Sequence, residues 1–132
     1  MTTPPNQPGR VADFAFIDAV LQMPFPEVVA ELSSSLGSQT TAYIGGAAST
    51  KSVSAWKDST QLPDGMREEA LRGALQATRV ILGTYSKNVA QAWMFGANRS
   101  LGVEAPAYRL QTASTPEDIA RVVSAAWRLV TT

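Results

Sequence analysis

The order of apolar and polar positions along this chain is typical of a series of short helices. Near the start, apolar residues recur three and four positions apart and predict a first helix over about residues 11–23. Its apolar positions are Val11, Phe14, Ile17, Val20 and Leu21. Pro24 and Pro26 are expected to end this helix, because proline lacks the backbone N–H that a helix interior needs. Apolar positions 28, 29, 32 and 36 then predict a second, short helix that stops near Gly37.

Three further segments keep the helical period. The longest apolar stripe runs for six turns, from Met66 to Tyr85, and the next segment is broken at Gly96. A last helix begins at Thr115. The apolar positions of these last two helices are Val89, Ala92, Trp93 and Phe95, and then Ile119, Val122, Val123, Ala126 and Val130. No segment has the alternating pattern of a strand, so the predicted fold class is all-α.

The stretch AYIGGAASTKSVSAWKDS, residues 42–59, places two adjacent glycines inside a helical pattern. This arrangement predicts two helices, the first over about residues 38–44, with the turn at Gly45 and Gly46. Glycine suits such a turn, because a residue without a Cβ permits positive φ and close backbone approach. The stretch is therefore interpreted as a helix-turn-helix.

The second helix of this pair is expected to have an inward and an outward face. Val53 and Trp56 lie three residues apart and face the first helix, while Ser49 caps the second. The outward side chains are hydroxyls and lysines, which suit contacts with the phosphates and base edges of a DNA major groove. The candidate DNA-binding residues are Ser49, Thr50, Lys51, Ser52, Ser54 and Lys57.

The charge distribution adds modest support. Residues 38–57 contain two lysines and no acid, whereas residues 10–36 contain one arginine and four acids, and the whole chain has a net charge of zero. The alternative is structural: two helices joined by a turn occur in many all-α domains, and this turn is longer than the three or four residues of the usual motif. Both interpretations stay open at this point.

The composition excludes several kinds of chemistry. The chain has no cysteine and no histidine, so a thiolate nucleophile, an imidazole base, a disulfide and an ordinary zinc site are excluded. The acidic pairs Glu68/Glu69 and Glu117/Asp118 are sequence neighbours and point about 100° apart on a helix. The sequence TPED at 115–118 is instead typical of a helix start. We expect a protein that is not an enzyme and needs no cofactor or metal.

The lengths of the apolar runs and the composition of the first ten residues bear on where in the cell the protein is expected. The chain has 132 residues, and none of its apolar runs approaches the ~18 residues that span a bilayer. The first ten residues, MTTPPNQPGR, lack the apolar region of a signal peptide and are expected to form a flexible tail. A cytoplasmic protein is therefore expected.

A second notable segment runs from Ala92 to Leu110, AWMFGANRSLGVEAPAYRL. It is expected to contain a helix end, a stop at Gly96, a polar turn, a leucine that returns to the core and a proline that starts a short helical turn. On structural grounds alone, this is an ordinary loop held by Trp93, Leu101 and Leu110.

The same segment resembles a known family signature. Trp93, Asn98, Leu101, Gly102, Pro106 and Leu110 are similar to the W-x(4)-N-x-x-L-G-x-x-x-P-x-x-x-L pattern of the Xre/MbcA/ParS-type antitoxin domain. Residues 36–56 resemble the variant helix-turn-helix that precedes that domain in related proteins. One position differs, since the proline that often precedes the motif asparagine is Ala97 here.

The resemblance implies a repressor with two functions. Its helix-turn-helix would bind double-stranded operator DNA, and its C-terminal domain would form a homodimer or hold a RES-type toxin, which degrades NAD. In that family the antitoxin blocks the active-site cleft of the toxin. The candidate partner-binding residues are Trp93, Asn98, Arg99, Trp127 and Arg128. The implied organisation is a tail over residues 1–10, a helix-turn-helix domain over 11–62 and a C-terminal antitoxin-like helical domain over 63–132.

Two other functions remain open. A phage-type immunity repressor would use both helical parts on DNA, or the second one for dimerisation, without a toxin. Arginines at helical spacing form either a solvated stripe, which is the more frequent case, or a set of phosphate contacts; the candidates are Arg67, Arg72, Arg79, Arg121 and Arg128. A pure protein-interaction module would instead use its C-terminal end, where Trp127 lies beside the predicted buried stripe.

Overall fold

A computed structural model describes residues 19–131 of the chain. Helical residues 19–22 are followed by α1 (Phe25–Leu36), α2 (Ser38–Ile44), α3 (Lys51–Lys57), α4 (Gly65–Leu82), α5 (Lys87–Phe95), a 3₁₀ turn (Arg99–Leu101), α6 (Pro106–Gln111) and α7 (Pro116–Thr131). Residues 19–131 contain no β-strand, so the predicted all-α fold is confirmed. The predicted tail over residues 1–10 and the helix positions Val11, Phe14 and Ile17 lie outside the described residues.

Prolines and glycines set several of the helix boundaries. Pro24 precedes α1, and Pro26 lies in its first turn, where the missing N–H has no helical acceptor to lose. Pro26 therefore belongs to the start of a helix, whereas the sequence predicted only the end of the preceding one. Gly37 has a φ of 93° and separates α1 from α2. Few residues other than glycine adopt this left-handed conformation without strain.

The long helix α4 lies at the centre of the fold. It packs against α1, α2, α5, α6 and α7. Its buried side includes Leu71, Leu75 and Ile81, which are fully inaccessible to solvent. At Gly73 the helix closely approaches α7, since a Cβ there would lie 2.2 Å from Cγ2 of Ile119. The small side chains of α4 thus allow α7 to pack closely against it.

Three predicted details of the helices were wrong. The apolar stripe of α4 ends at Leu82, and Tyr85 lies beyond the helix and is exposed. In α5 the buried residues are Ala90 and Met94, not Val89 and Ala92. In the first predicted helix, Val20 is buried but Leu21 is 56% exposed.

The hydrophobic core runs across the predicted domain boundary. One cluster of buried side chains includes Val28 and Trp56 on one side of residue 62, and Leu75, Met94 and Val122 on the other. The two predicted domains therefore share a core within residues 19–131. None of the helices in this range has the length and apolar character needed to cross a lipid bilayer.

Candidate functional site

The helix pair α2 and α3 is held together by apolar contacts on the inner side of α3. Val53 and Trp56 are almost completely buried, as the three-residue spacing predicted. The Trp56 ring lies 6.5 Å from the Phe25 ring of α1, at 60° between the planes. Tilted pairs of this kind are favourable because the positive edge of one ring faces the negative face of the other. The inner side of α3 is thereby fixed against α1 and α2.

The connection between α2 and α3 uses its two glycines differently. Gly46 has a φ of 73°, in the left-handed region. Gly45 has an ordinary φ of −78°, but a Cβ at this position would lie 2.4 Å from Cη2 of Trp56. Glycine is therefore favoured at position 46 because of its positive φ, and at position 45 because a side chain would overlap the Trp56 ring. The connection spans residues 45–50, longer than the three or four residues of the usual motif.

The outer side of α3 presents most of the predicted DNA-binding residues to solvent. Ser52 is partly buried, and the other five are exposed; these are Ser49, Thr50, Lys51, Ser54 and Lys57. The N-cap of α3 is Thr50, whose side chain makes no capping hydrogen bond, so the predicted cap at Ser49 was one residue too early. Ser49 instead accepts a hydrogen bond from the Lys51 backbone N–H at 3.2 Å, just before the helix. Neither lysine side chain makes an ion pair or hydrogen bond within residues 19–131. The exposed surface of α3 therefore has two unpaired positive charges, which lie about 120° apart around the helix.

Two residues of α2 belong to the same surface and were missed from the sequence. Gln39 and Tyr43 line a cleft together with Ser49 and Thr50. The Tyr43 ring also lies 6.0 Å from the ring of Phe95, which is 55% exposed. Gln39 and Tyr43 are four residues apart, so they share one face of α2. That spacing is a signal in the sequence, but it can be interpreted only once α3 is known to lie beside this face.

The predicted partner residues on the segment around the 3₁₀ turn differ in exposure. The Asn98 side chain accepts a hydrogen bond from the Ser100 N–H at 3.0 Å and caps the 3₁₀ turn. Trp93 is half-buried and packs against the core. Arg99 is exposed. Asn98 and Trp93 thus have evident structural roles, whereas Arg99 is available for contacts.

The other predicted partner residues lie near the end of α7. Trp127 is half-buried against the core, and Arg128 is exposed. Arg128 lines a groove together with Ser100, the residue after Arg99. The structure therefore brings Arg128 close to the 3₁₀ turn that carries Arg99.

The arginine side chains of α4 bind carbonyls and carboxylates of the protein itself. Arg67 donates to the backbone carbonyls of Leu110, Gln111 and Ala113 at the end of α6, and burial lowers its pKa. Arg72 donates to the carbonyls of residues 20 and 23 and pairs with a carboxylate of its own helix. Arg79 pairs with Glu31 at 2.7 Å, and this hydrogen bond raises the pKa of Arg79. These three side chains do not form the solvent-exposed stripe that DNA contacts would require.

A start signal precedes α7, as the sequence predicted. The Asp118 N–H donates to Oγ1 of Thr115 at 3.2 Å, while the Asp118 carboxylate accepts from the N–H groups of Ser114 and Thr115. The Ser114 N–H is the main cause of a lowered pKa at Asp118. Glu117 and Asp118 thus lie in the first turn of α7 and do not form a paired acidic site.

The described residues do not bring together a metal site. Within residues 19–131, no three carboxylate side chains are close enough to hold a metal ion. Comparison with models of known protein families, with curated proteins and with solved structures found no match.

Proposed function

We propose that this protein is a DNA-binding transcriptional repressor that acts in the cytoplasm and resembles the antitoxin of an Xre/MbcA/ParS-type pair. In this proposal α2 and α3 form the DNA-binding helix pair, and the C-terminal half binds a partner. The observation that carries the proposal is the two-sided character of α3. One side is fixed by Val53 and Trp56, while Lys51 and Lys57, which lie about 120° apart around the helix, are both exposed together with several hydroxyls.

A helix that is packed against the core and carries exposed lysines and hydroxyls is suited to DNA recognition. Lysines and hydroxyls bind phosphate oxygens and position the helix, while side chains near its start reach base edges. Gln39 and Tyr43 would extend this surface along α2, since they line the same cleft as Ser49 and Thr50. Affinity should then depend steeply on salt, because each phosphate contact releases a condensed counterion.

The test is a fluorescence anisotropy titration with duplex DNA from immediately upstream of the protein's own gene, at two salt concentrations and with nonspecific competitor. Lys51→Ala and Lys57→Ala should each weaken binding and lower the salt slope by about one. Lys87→Ala is the control for loss of one positive charge away from α3; its side chain is exposed and donates one long hydrogen bond, of 3.4 Å, to the Ser34 carbonyl. If the three variants bind equally well, α3 is not the recognition helix.

For the partner function we propose a RES-type toxin, as the family resemblance implies. The partner surface would lie around the 3₁₀ turn and the end of α7. This proposal is supported by the exposure of Arg99 and Arg128 and by the half-buried Trp127. Removal of α7 is unsuitable as a test, because this helix contributes Val122 and Ala126 to the core. Substitution of exposed residues tests partner binding without removing the core.

The phage-type alternative loses part of its support. Its candidate phosphate contacts were arginines of α4 and α7, and Arg67, Arg72 and Arg79 are already bound to internal acceptors. Arg121 and Arg128 remain exposed, so this alternative now depends on α7 alone.

A further inference from the structure

The outer face of α7 carries a stripe of polar side chains. Glu117, Arg121, Ser124 and Arg128 follow one another at spacings of four, three and four residues, so they lie on one side of the helix. All four are exposed. With Ser100 and Ala120 they line a groove of about 440 Å³ on the surface of α7. We call this groove the α7 groove.

The two arginines of the α7 groove differ from most arginines of the described chain. Arg67, Arg72, Arg79 and Arg109 all bind carboxylates or backbone carbonyls of the protein itself. Within residues 19–131, by contrast, the side chains of Arg121 and Arg128 make no ion pair or hydrogen bond. Two guanidinium groups of one groove are therefore available to an external acceptor.

The surroundings of the α7 groove favour a protein ligand over DNA. Ala120 and Ser124 also border a second, largely apolar groove that contains Val123 and Trp127. Arginine and tryptophan beside apolar surface are typical of protein interfaces. The groove also contains Glu117, whose negative charge opposes a DNA backbone. Small side chains at positions 120 and 124 let a partner backbone approach closely.

The spacing of the charges on α7 indicates which charge pattern a complementary partner would carry. Arg121 and Arg128 are seven residues apart, about 10.5 Å along the helix axis. Residues seven apart on a second helix have the same separation and also share one face. Glu117 lies four residues before Arg121, on the side away from Arg128, so the N-terminal end of the stripe carries a negative charge.

We propose that the α7 groove binds a helix of another protein that presents two carboxylates seven residues apart and a basic residue four positions further on. Each carboxylate accepts hydrogen bonds from one guanidinium, and the basic residue faces Glu117. This proposal is independent of DNA binding by α3, but it rests on the proposed partner function, because Arg128 belongs to both surfaces. Binding of helical peptides does not require the partner to be a toxin, so failure of the groove and failure of the toxin assignment are distinguishable. A second copy of α7 fits less well: when Glu117 is set against Arg128 of an antiparallel copy, Arg121 faces a serine.

The test uses labelled helical peptides and the full-length protein. One peptide has two glutamates seven residues apart and a lysine four positions further on. A second has the same composition with the glutamates five residues apart, which places them about 140° apart around the helix. A third replaces both glutamates by glutamine. Fluorescence anisotropy should show that the first peptide binds roughly 5- to 30-fold more tightly than the other two.

Protein variants locate the site. Arg121→Ala and Arg128→Ala should each reduce the preference for the first peptide, whereas Lys87→Ala should leave it unchanged. Replacing both arginines by lysine should give an intermediate result, because lysine keeps the charge but lacks the planar fork that fits a carboxylate. Far-UV circular dichroism confirms that each variant is folded, as expected for substitutions at exposed positions.

Four results would overturn the proposal. The first is equal binding of the peptides, or no binding of any of them. The second is an equal effect of Lys87→Ala, which would indicate nonspecific charge attraction. The third is a loss of duplex DNA binding in the Arg121→Ala, Arg128→Ala double variant as large as in the Lys51→Ala, Lys57→Ala double variant. The fourth is a dimer in sedimentation experiments that Arg128→Ala abolishes.

Discussion

At the scale of single residues, Gly45 shows how a steric requirement differs from a conformational one. Its φ of −78° suits any residue, so the backbone alone does not explain the glycine. The Trp56 ring occupies the space that a side chain would need. Because Trp56 also anchors α3 against α1, this contact links the connection between the helices to the orientation of the proposed recognition helix.

Gly45→Ala should therefore destabilise the protein. The added Cβ would lie 2.4 Å from Cη2 of Trp56, and relieving that overlap should lower the free energy of unfolding by about 1–3 kcal/mol. Gly65→Ala is the control: a Cβ there has no neighbour within 4 Å, and alanine should be neutral or stabilising by up to about 1 kcal/mol. Urea unfolding followed by circular dichroism measures both. Equal unfolding midpoints for the two variants would contradict the steric explanation.

The buried face of a helix could be predicted from the sequence only in some places. For α3, Val53 and Trp56 are the large apolar residues of the helix, so its inward side was clear. For α5, two overlapping stripes fit the helical period, one through Val89 and one through Ala90. A helix of nine residues has too few turns to distinguish them. The choice depends on neighbouring helices, which the local pattern does not contain.

At the scale of elements, hydrogen bonds link Asp118 to the two residues that precede α7. Thr115 accepts from the Asp118 N–H, and the Asp118 carboxylate accepts from the N–H groups of Ser114 and Thr115. These contacts favour the ionised carboxylate, with the Ser114 N–H contributing most, and they lower its pKa. The same bonds therefore fix the helix start and make its stability sensitive to pH.

Asp118→Asn tests this link. The folded pKa lies below the unfolded value of about 3.9, so ionised Asp118 stabilises the fold above that value, and this contribution is lost as the pH falls through the folded pKa. At neutral pH the variant should unfold at a lower urea concentration than the wild type. The difference should shrink as the pH falls below about 4. A difference that stays constant down to pH 2 would show that the carboxylate charge has no part in it.

The arginines of α4 mark a limit of sequence interpretation at this scale. Their spacing suggested either a solvated stripe or a phosphate-binding face. Arg67 instead donates to the backbone carbonyls at the end of α6, more than 40 residues away along the chain. Backbone acceptors have no sequence signature, because every residue has a carbonyl. Helix positions could thus be predicted from local periodicity, but the partners of these side chains could not.

At the scale of the whole molecule, the proposed DNA-binding and partner-binding surfaces lie on a shared core. Buried residues from α1 and α3 belong to the same cluster as residues from α4, α5 and α7. Polar links also cross the predicted boundary at residue 62; among them, Arg79 of α4 binds Glu31 of α1, and Arg72 binds the carbonyls of residues 20 and 23. The α4 helix thereby joins the N-terminal and C-terminal parts of the described chain.

This shared core predicts a single unfolding transition. Two independently folded domains divided at residue 62 would lose structure at different urea concentrations, whereas one core should unfold cooperatively. Helical circular dichroism and tryptophan fluorescence should give coincident curves, since Trp56 and Trp127 report on opposite sides of residue 62. Glu31→Gln, which weakens the link to Arg79, should shift both curves together. If it shifts only the fluorescence of a variant that retains Trp56 alone, the two parts unfold separately and the domain boundary predicted from the sequence is supported.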